Sequence, residues 1–193
     1  LSFQDVLKDK WVGFDNYSRL LTDKMFFKAV YNSLKYMIGT LILLIPFPLL
    51  FASMLNSKLM KGQGFFKSVY FLPALTSVVV AGTIFRLMFG EMDTSLANQI
   101  MELLGKSPIK WLKGEWTGYF ALLIVACWRW TGVNILYFLA GLQSIPTDIY
   151  EAASIDGASK WQQFIKISFP LVKPTTVYVL TISIYAGLSM FLE

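Results

Sequence analysis

The sequence predicts an all-α membrane protein, a multi-span helical bundle with about four spans in this chain. Three observations predict it. The 193 residues are 55% hydrophobic and only 15% charged, with a mean hydropathy of +0.55, whereas soluble domains carry roughly a quarter charged residues. Acids are excluded from two long blocks, Asp23 to Glu91 and Glu115 to Asp148. Aromatics make up 16% of the chain, which suits a protein with two lipid–water interfaces to fill.

Residues 1–29 mix charges (Asp5, Lys8, Asp15, Arg19, Lys28) with Trp11, Phe14 and Tyr17. They read as an amphipathic segment outside the bilayer core. Tyr36 to Leu55 contains no charge. About 20 apolar residues cross a bilayer as a helix, so this is the core of a first span, placed at about 30–56. Pro46 and Pro48 should kink it, because each removes an amide donor and crowds the preceding turn. Lys35 at its edge is expected to snorkel toward headgroups.

A basic turn with Lys58, Lys61 and Lys67 leads to a second span at about 68–88, with Pro73 near its start and Arg86 at its end. Residues 87–117 are amphipathic and broken by Gly105, Pro108 and Gly114. A third span is expected at about 117–142 and a fourth at about 169–193, separated by a polar connection over 143–168. The whole chain is read as one transmembrane unit, and both ends as boundaries within a longer protein.

Several chemistries are excluded by inventory. There is no histidine, and the single cysteine, Cys127, sits in an apolar stretch. Metal clusters, disulfide frameworks and Cys–His pairs are therefore excluded. The net charge of +5 is scattered, with no basic run of the kind that marks a nucleic-acid face. Gly105-Lys106-Ser107 resembles the end of a phosphate-binding loop, but that motif needs a glycine where Ile100 stands. No acid lies within a span for proton coupling or intramembrane catalysis.

The connection over 143–168 carries the most specific pattern. Asp148 with Glu151 three residues on suggests a helix start resembling a capping box. Gly157 suits the left-handed geometry of a helix end. Ser159 then restarts a helix, with Gln162 three residues later completing a second capping box. Trp161, Phe164, Ile165 and Ser168 fall at helical spacing, a mostly apolar stripe, and Pro170 opens the next span. The result is two short helices and a stiff corner outside the bilayer. A partner pressing on that corner would move both adjoining spans.

Glu151, Ala152, Ala153, Gly157, Ile167 and Pro170 stand where the EAA loop of ATP-binding-cassette (ABC) import permeases has its pattern. That pattern is Glu-Ala-Ala, three residues, Gly, nine residues, then Ile-x-Leu-Pro. Asp156, Gly157 and Ala158 match its extended form, and Phe169 replaces the usual leucine. The resemblance extends to Trp11-Val12-Gly13-Phe14-Asp15-Asn16-Tyr17, to Phe71-Leu72-Pro73, and to the segment from Phe138 to Pro146. These resemble the maltose and glycerol-phosphate permeases.

The resemblance implies a type I ABC importer transmembrane domain, with this piece holding the second to fifth of six core helices. It implies a multi-pass protein of the bacterial cytoplasmic membrane that takes up a sugar or oligosaccharide. Its partners would be ABC ATPase subunits, a second homologous permease and an extracytoplasmic solute-binding protein. ATP and magnesium would reside on the ATPase, with no cofactor and no catalytic residue on this chain. The ATPase-coupling residues would be Glu151, Ala152, Ala153, Asp156, Gly157, Ala158, Trp161, Phe164, Ile167 and Pro170.

A plain Lys/Arg tally favours the opposite face for the cytoplasm. The spacing-specific loop outweighs it, placing 143–168 in the cytoplasm. An importer of the same family for another solute is the alternative reading, and a secondary carrier a more distant one.

Arg129 lies within the third span beside Trp128 and Trp130. Intramembrane charges are rare and usually face a cavity or a partner. Arg129 and Asn134 are candidates for the substrate path, and Trp128, Trp130 and Tyr137 for stacking on sugar rings. The competing reading makes Arg129 a structural pair with a carbonyl or another subunit, and turns the tryptophans to lipid.

Overall fold

A computed structural model describes residues 13–56, 62–92 and 94–189. Trp11 and Val12 of the first resemblance segment, and Lys58 and Lys61 of the basic turn, lie outside the described residues. Every regular element among the described residues is a helix. In chain order they are α1 (Asp15–Thr22), α2 (Lys24–Leu44), α3 (Pro46–Leu55), α4 (Gln63–Phe71), α5 (Val78–Met88), α6 (Leu96–Leu103), α7 (Glu115–Gln143), α8 (Thr147–Ile155), α9 (Lys160–Leu171) and α10 (Lys173–Ser189).

The first span is the α2–α3 pair. The Asp23 carboxylate caps α2, accepting from the Met25 amide at 2.7 Å. The helix breaks at Ile45, immediately before Pro46. The cause is chemical. Pro48 offers no N–H to the Leu44 carbonyl four residues back. That carbonyl is instead taken by the Asn134 side-chain amide, at 2.9 Å. Lys24–Leu55 runs 32 residues, about 48 Å of helix, longer than a hydrocarbon core of about 30 Å.

Lys35 does not snorkel. Its ammonium lies 3.7 Å from the Trp116 ring centre and 3.6 Å from the Glu115 carboxylate. Its side chain is mostly buried. The charge is satisfied within the protein, by aromatic faces and an acid on the first turn of α7.

The second apolar block departs from expectation. Instead of one continuous span it forms α4, a 3₁₀ turn Leu72–Leu75 around Pro73, a break at Thr76–Ser77, and α5. The halves meet at 94°. Pro73 removes a donor and tightens the helix end, and Thr76 and Ser77 are extended. The end of α4 presses against α7 at Gly132. A Cβ there would collide with the Tyr70 carbonyl, so this crossing requires glycine.

Within 87–117, read from sequence only as a broken amphipathic stretch, the described residues fold around buried Asn98. Its Oδ1 accepts from the Ile109 amide (2.9 Å) and the Trp111 indole (2.8 Å), and its amide donates to the Met92 carbonyl (3.2 Å). Phe85, Phe89 and Trp111 form a run of ring contacts above it, joined to α7 by Trp128.

Helix α7 is 29 residues without a break, about 43 Å long. It stands at the centre, packed against α2, α3, α4 and α10. The principal core lies toward its C-terminal end, where Leu49, Leu55, Ile135, Phe138, Leu142, Val172 and Val179 are buried together. Gly141 lets α10 close on α7, since a Cβ there would meet the Thr175 side chain.

Candidate functional site

The segment between α7 and α10 is an elbow of two helices, α8 and α9. Pro146 is the N-cap of α8, with extended backbone. The expected capping role of Asp148 is not adopted: Asp148 lies inside the first turn, and no side chain caps this end. Its carboxylate still suits the positive end of the helix dipole. Glu151, Ala152, Asp156 and Gly157 are exposed, and Ala153 and Ala158 half-buried. Glu151 has no ion pair among the described residues.

The corner is a Schellman turn. Gly157 has φ +79°, its amide donates to the Ser154 carbonyl (3.1 Å), and the Ala158 amide donates to the Ala153 carbonyl (2.9 Å). Nothing lies within 4 Å of a Cβ built on Gly157. The need for glycine is therefore conformational, not steric. The capping box at Ser159 is present. The Gln162 amide donates to Ser159 Oγ (3.3 Å) and the Ser159 amide to Gln162 Oε1 (2.7 Å).

The apolar stripe of α9 is not a plain helical one. A π turn over Phe164–Ser168 precedes Pro170, which has no N–H to keep the ladder regular. The widened turn divides the stripe. Trp161 and Ile165 are exposed, while Phe164 packs on the core. The Trp161 and Phe164 rings stack with centroids 5.7 Å apart. Ser168 is buried as a hydrogen-bond partner of Tyr150, at 2.8 Å. Ile167 and Pro170 are half-buried.

The expected opening of the last span at Pro170 also moves. The helix continues through Pro170 and bends by 64° at Val172, before Lys173–Pro174. Tyr150, Ser154, Gln163 and Ser168, which tie the two arms, were not among the sequence candidates for coupling. The available signal was weak: Tyr150 and Ser154 are four apart on one helix face, and a polar Gln163 stands beside the stripe.

The membrane candidates divide. Arg129 is the middle residue of α7, roughly 21 Å from either end. Its Nε is buried with no hydrogen-bond partner among the described residues, and its guanidinium lies 5.4 Å from the Trp130 ring centre. Asn134 is buried, with its amide committed to the Leu44 carbonyl. Tyr137 makes an edge contact with Tyr178 of α10. Trp128 packs edge-on against Phe85, and both Trp128 and Trp130 remain partly exposed. The structure thus does not bring the five together as one site. Arg129 and Trp130 touch, and Asn134 serves the α2–α3 kink.

The fold and the elbow define a helical membrane protein in which α7 and α10 are joined by a stiff two-helix corner. Residues 30–192 match the family of binding-protein-dependent transport system inner membrane components, and the chain belongs to that family. It is 55% identical over its full length to the arabinooligosaccharides transport system permease protein AraP of Bacillus subtilis (strain 168), covering 62% of that protein. It is 34% identical to the trehalose/maltose transport system permease protein MalF of Thermococcus litoralis (strain ATCC 51850 / DSM 5473 / JCM 8560 / NS-C), over 94% of this chain and 61% of the relative. The chain therefore spans about three-fifths of the length of these curated relatives.

Among solved structures, it matches a bacterial ABC transporter involved in the import of the acidic polysaccharide alginate. The TM-score is 0.87 at 26% identity, over 98% of this chain and 66% of that one. The fold is that of a type I ABC importer transmembrane domain.

Proposed function

We propose that this chain is part of the permease subunit of an ATP-driven importer for a sugar or oligosaccharide, seated in the bacterial cytoplasmic membrane. The α8–α9 elbow is its contact with an ABC ATPase subunit. One observation carries this reading: the Glu151-Ala152-Ala153…Gly157 pattern forms a Schellman corner whose outer surface is exposed. Ile155 is 87% exposed and Trp161 65% exposed. Large apolar side chains at a stiff extramembrane corner call for a protein partner.

Closure of the ATPases on ATP displaces the elbow, and α7 and α10 follow because the elbow continues into both. ATP and magnesium stay on the ATPase. A second homologous permease completes the path, and an extracytoplasmic solute-binding protein delivers the solute. The oligosaccharide and sugar named for the relatives support the substrate class. Arg129, in mid-membrane, faces the path, with Trp130 as a stacking surface for a sugar ring. Trp128 and Tyr137 shape the wall behind them, and Asn134 holds the kinked first span in place.

The test uses the full-length subunit expressed with its genomic neighbours. An ATPase subunit is expected to co-purify with wild type, and Gly157→Pro and Glu151→Lys to weaken that association or uncouple hydrolysis from uptake. An ATPase that never co-purifies, or variants that couple as well as wild type, would overturn the reading.

A further inference from the structure

The two arms of the elbow are tied together at residues outside the Glu-Ala-Ala pattern. Close to the corner, Gln163 is 3% exposed. Its amide donates to Ser154 Oγ of α8 (2.8 Å) and to the Ala158 carbonyl (3.2 Å), and its Oε1 accepts from the Lys160 ammonium (3.2 Å). Ser154 Oγ in turn donates to the Tyr150 carbonyl, at 2.7 Å. About one turn farther along each arm, Tyr150 Oη meets Ser168 Oγ at 2.8 Å.

An angle fixed by a Schellman corner alone can flex. An angle closed by two cross-ties at different distances from the corner cannot open without breaking both. Beyond the ties the chain has one break before α10, at fully buried Val172, where the axis turns by 64°.

We propose that Gln163 is a positioning residue that makes α8 and α9 one rigid lever. A push on the exposed face of α8 is then delivered undiminished to the bend at Val172 and to α10. The tie at Tyr150–Ser168 is the second half of the same brace. This inference rests on the importer reading above, and it adds that coupling depends on residues that do not themselves face the ATPase.

The experiment uses the complete transporter, with its ATPase and solute-binding protein, in proteoliposomes. Solute taken up per ATP hydrolysed is compared for wild type, Gln163→Leu and Tyr150→Phe. Spin labels at the exposed Asp148 and Lys166 positions report the angle between the arms. The expected result is that Gln163→Leu keeps the ATPase bound and hydrolysis within about twofold, while solute per ATP falls about tenfold, in the range of a typical coupling energy. The label–label distance distribution broadens, and Tyr150→Phe shows a smaller change in the same direction.

Normal solute per ATP in both variants, with a wild-type distance distribution, overturns the brace while leaving the importer reading intact. If Gln163→Leu fails to accumulate, Tyr150→Phe decides, because it deletes only a hydroxyl. Failure of wild type to retain an ATPase overturns both proposals together.

Discussion

Asn134 shows how one side chain can repair a backbone defect made 90 positions away. Pro48 leaves the Leu44 carbonyl without its helical donor, and the Asn134 amide replaces it at 2.9 Å. An unpaired carbonyl within a bilayer costs several kcal/mol. Asn134→Leu is therefore predicted to destabilise the protein by about 1–3 kcal/mol, read as a lower melting temperature in detergent. Pro48→Ala restores the missing donor, so adding it to Asn134→Leu should recover part of that loss. Strictly additive effects would rule the account out.

A second prediction at this scale concerns Gly157. Gly157→Ala forces a side chain into a left-handed conformation and costs about 1–2 kcal/mol locally, visible as faster amide exchange at Ala158. From the sequence Asn134 was a candidate for the substrate path, whereas its amide is committed to the Leu44 carbonyl. Its partner was hidden because the pairing depends on how α3 lies against α7, which no local spacing encodes. Gly157 was legible, because a positive-φ helix end has a local signature.

The elements follow a similar division. Pro46 announced the break at Ile45, and Ser159 with Gln162 announced the start of α9, since both act within four residues. The π turn and the true bend at Val172 were not legible. Both depend on how the apolar face of α9 settles against the core, where Phe164 and Ser168 must point inward together. The 94° break in the second apolar block was hidden in the same way. Its composition is that of a span, and although Pro73 marks where α4 ends, the close crossing at Gly132 of α7 has no local signature. Gly132→Val is predicted to disrupt this crossing severely, because the obstacle is backbone. Expression with a sharply reduced folded fraction on size-exclusion chromatography is the expected outcome, and a normal profile would contradict the crossing.

For the whole molecule, the elbow and the Asn98-centred cap lie at opposite ends of α7. They should label from opposite sides of the membrane. With Cys127→Ser as background, Leu103→Cys is predicted to react with an impermeant maleimide on intact cells, and Ile155→Cys only after permeabilisation. Both positions are 87% exposed. Labelling of both from outside would contradict the proposed orientation, which is opposite to the one the lysine and arginine tally alone favours. Helical class was readable from the apolar blocks and the hydropathy of the chain. The cap was not, because Asn98 reaches Ile109 and Trp111 eleven and thirteen residues away through a turn with no repeating pattern.

The broken second block also bears on how the chain enters a membrane during synthesis. Its two halves, nine and eleven helical residues, each fall short of the roughly 20 needed to stay in the bilayer alone. What makes the arrangement tenable is α7, which is made later and offers the glycine notch that receives Tyr70. This part of the nascent protein therefore depends on a helix still emerging from the ribosome. A ribosome-stalled chain ending before Glu115 would leave α4 and α5 short of their final place.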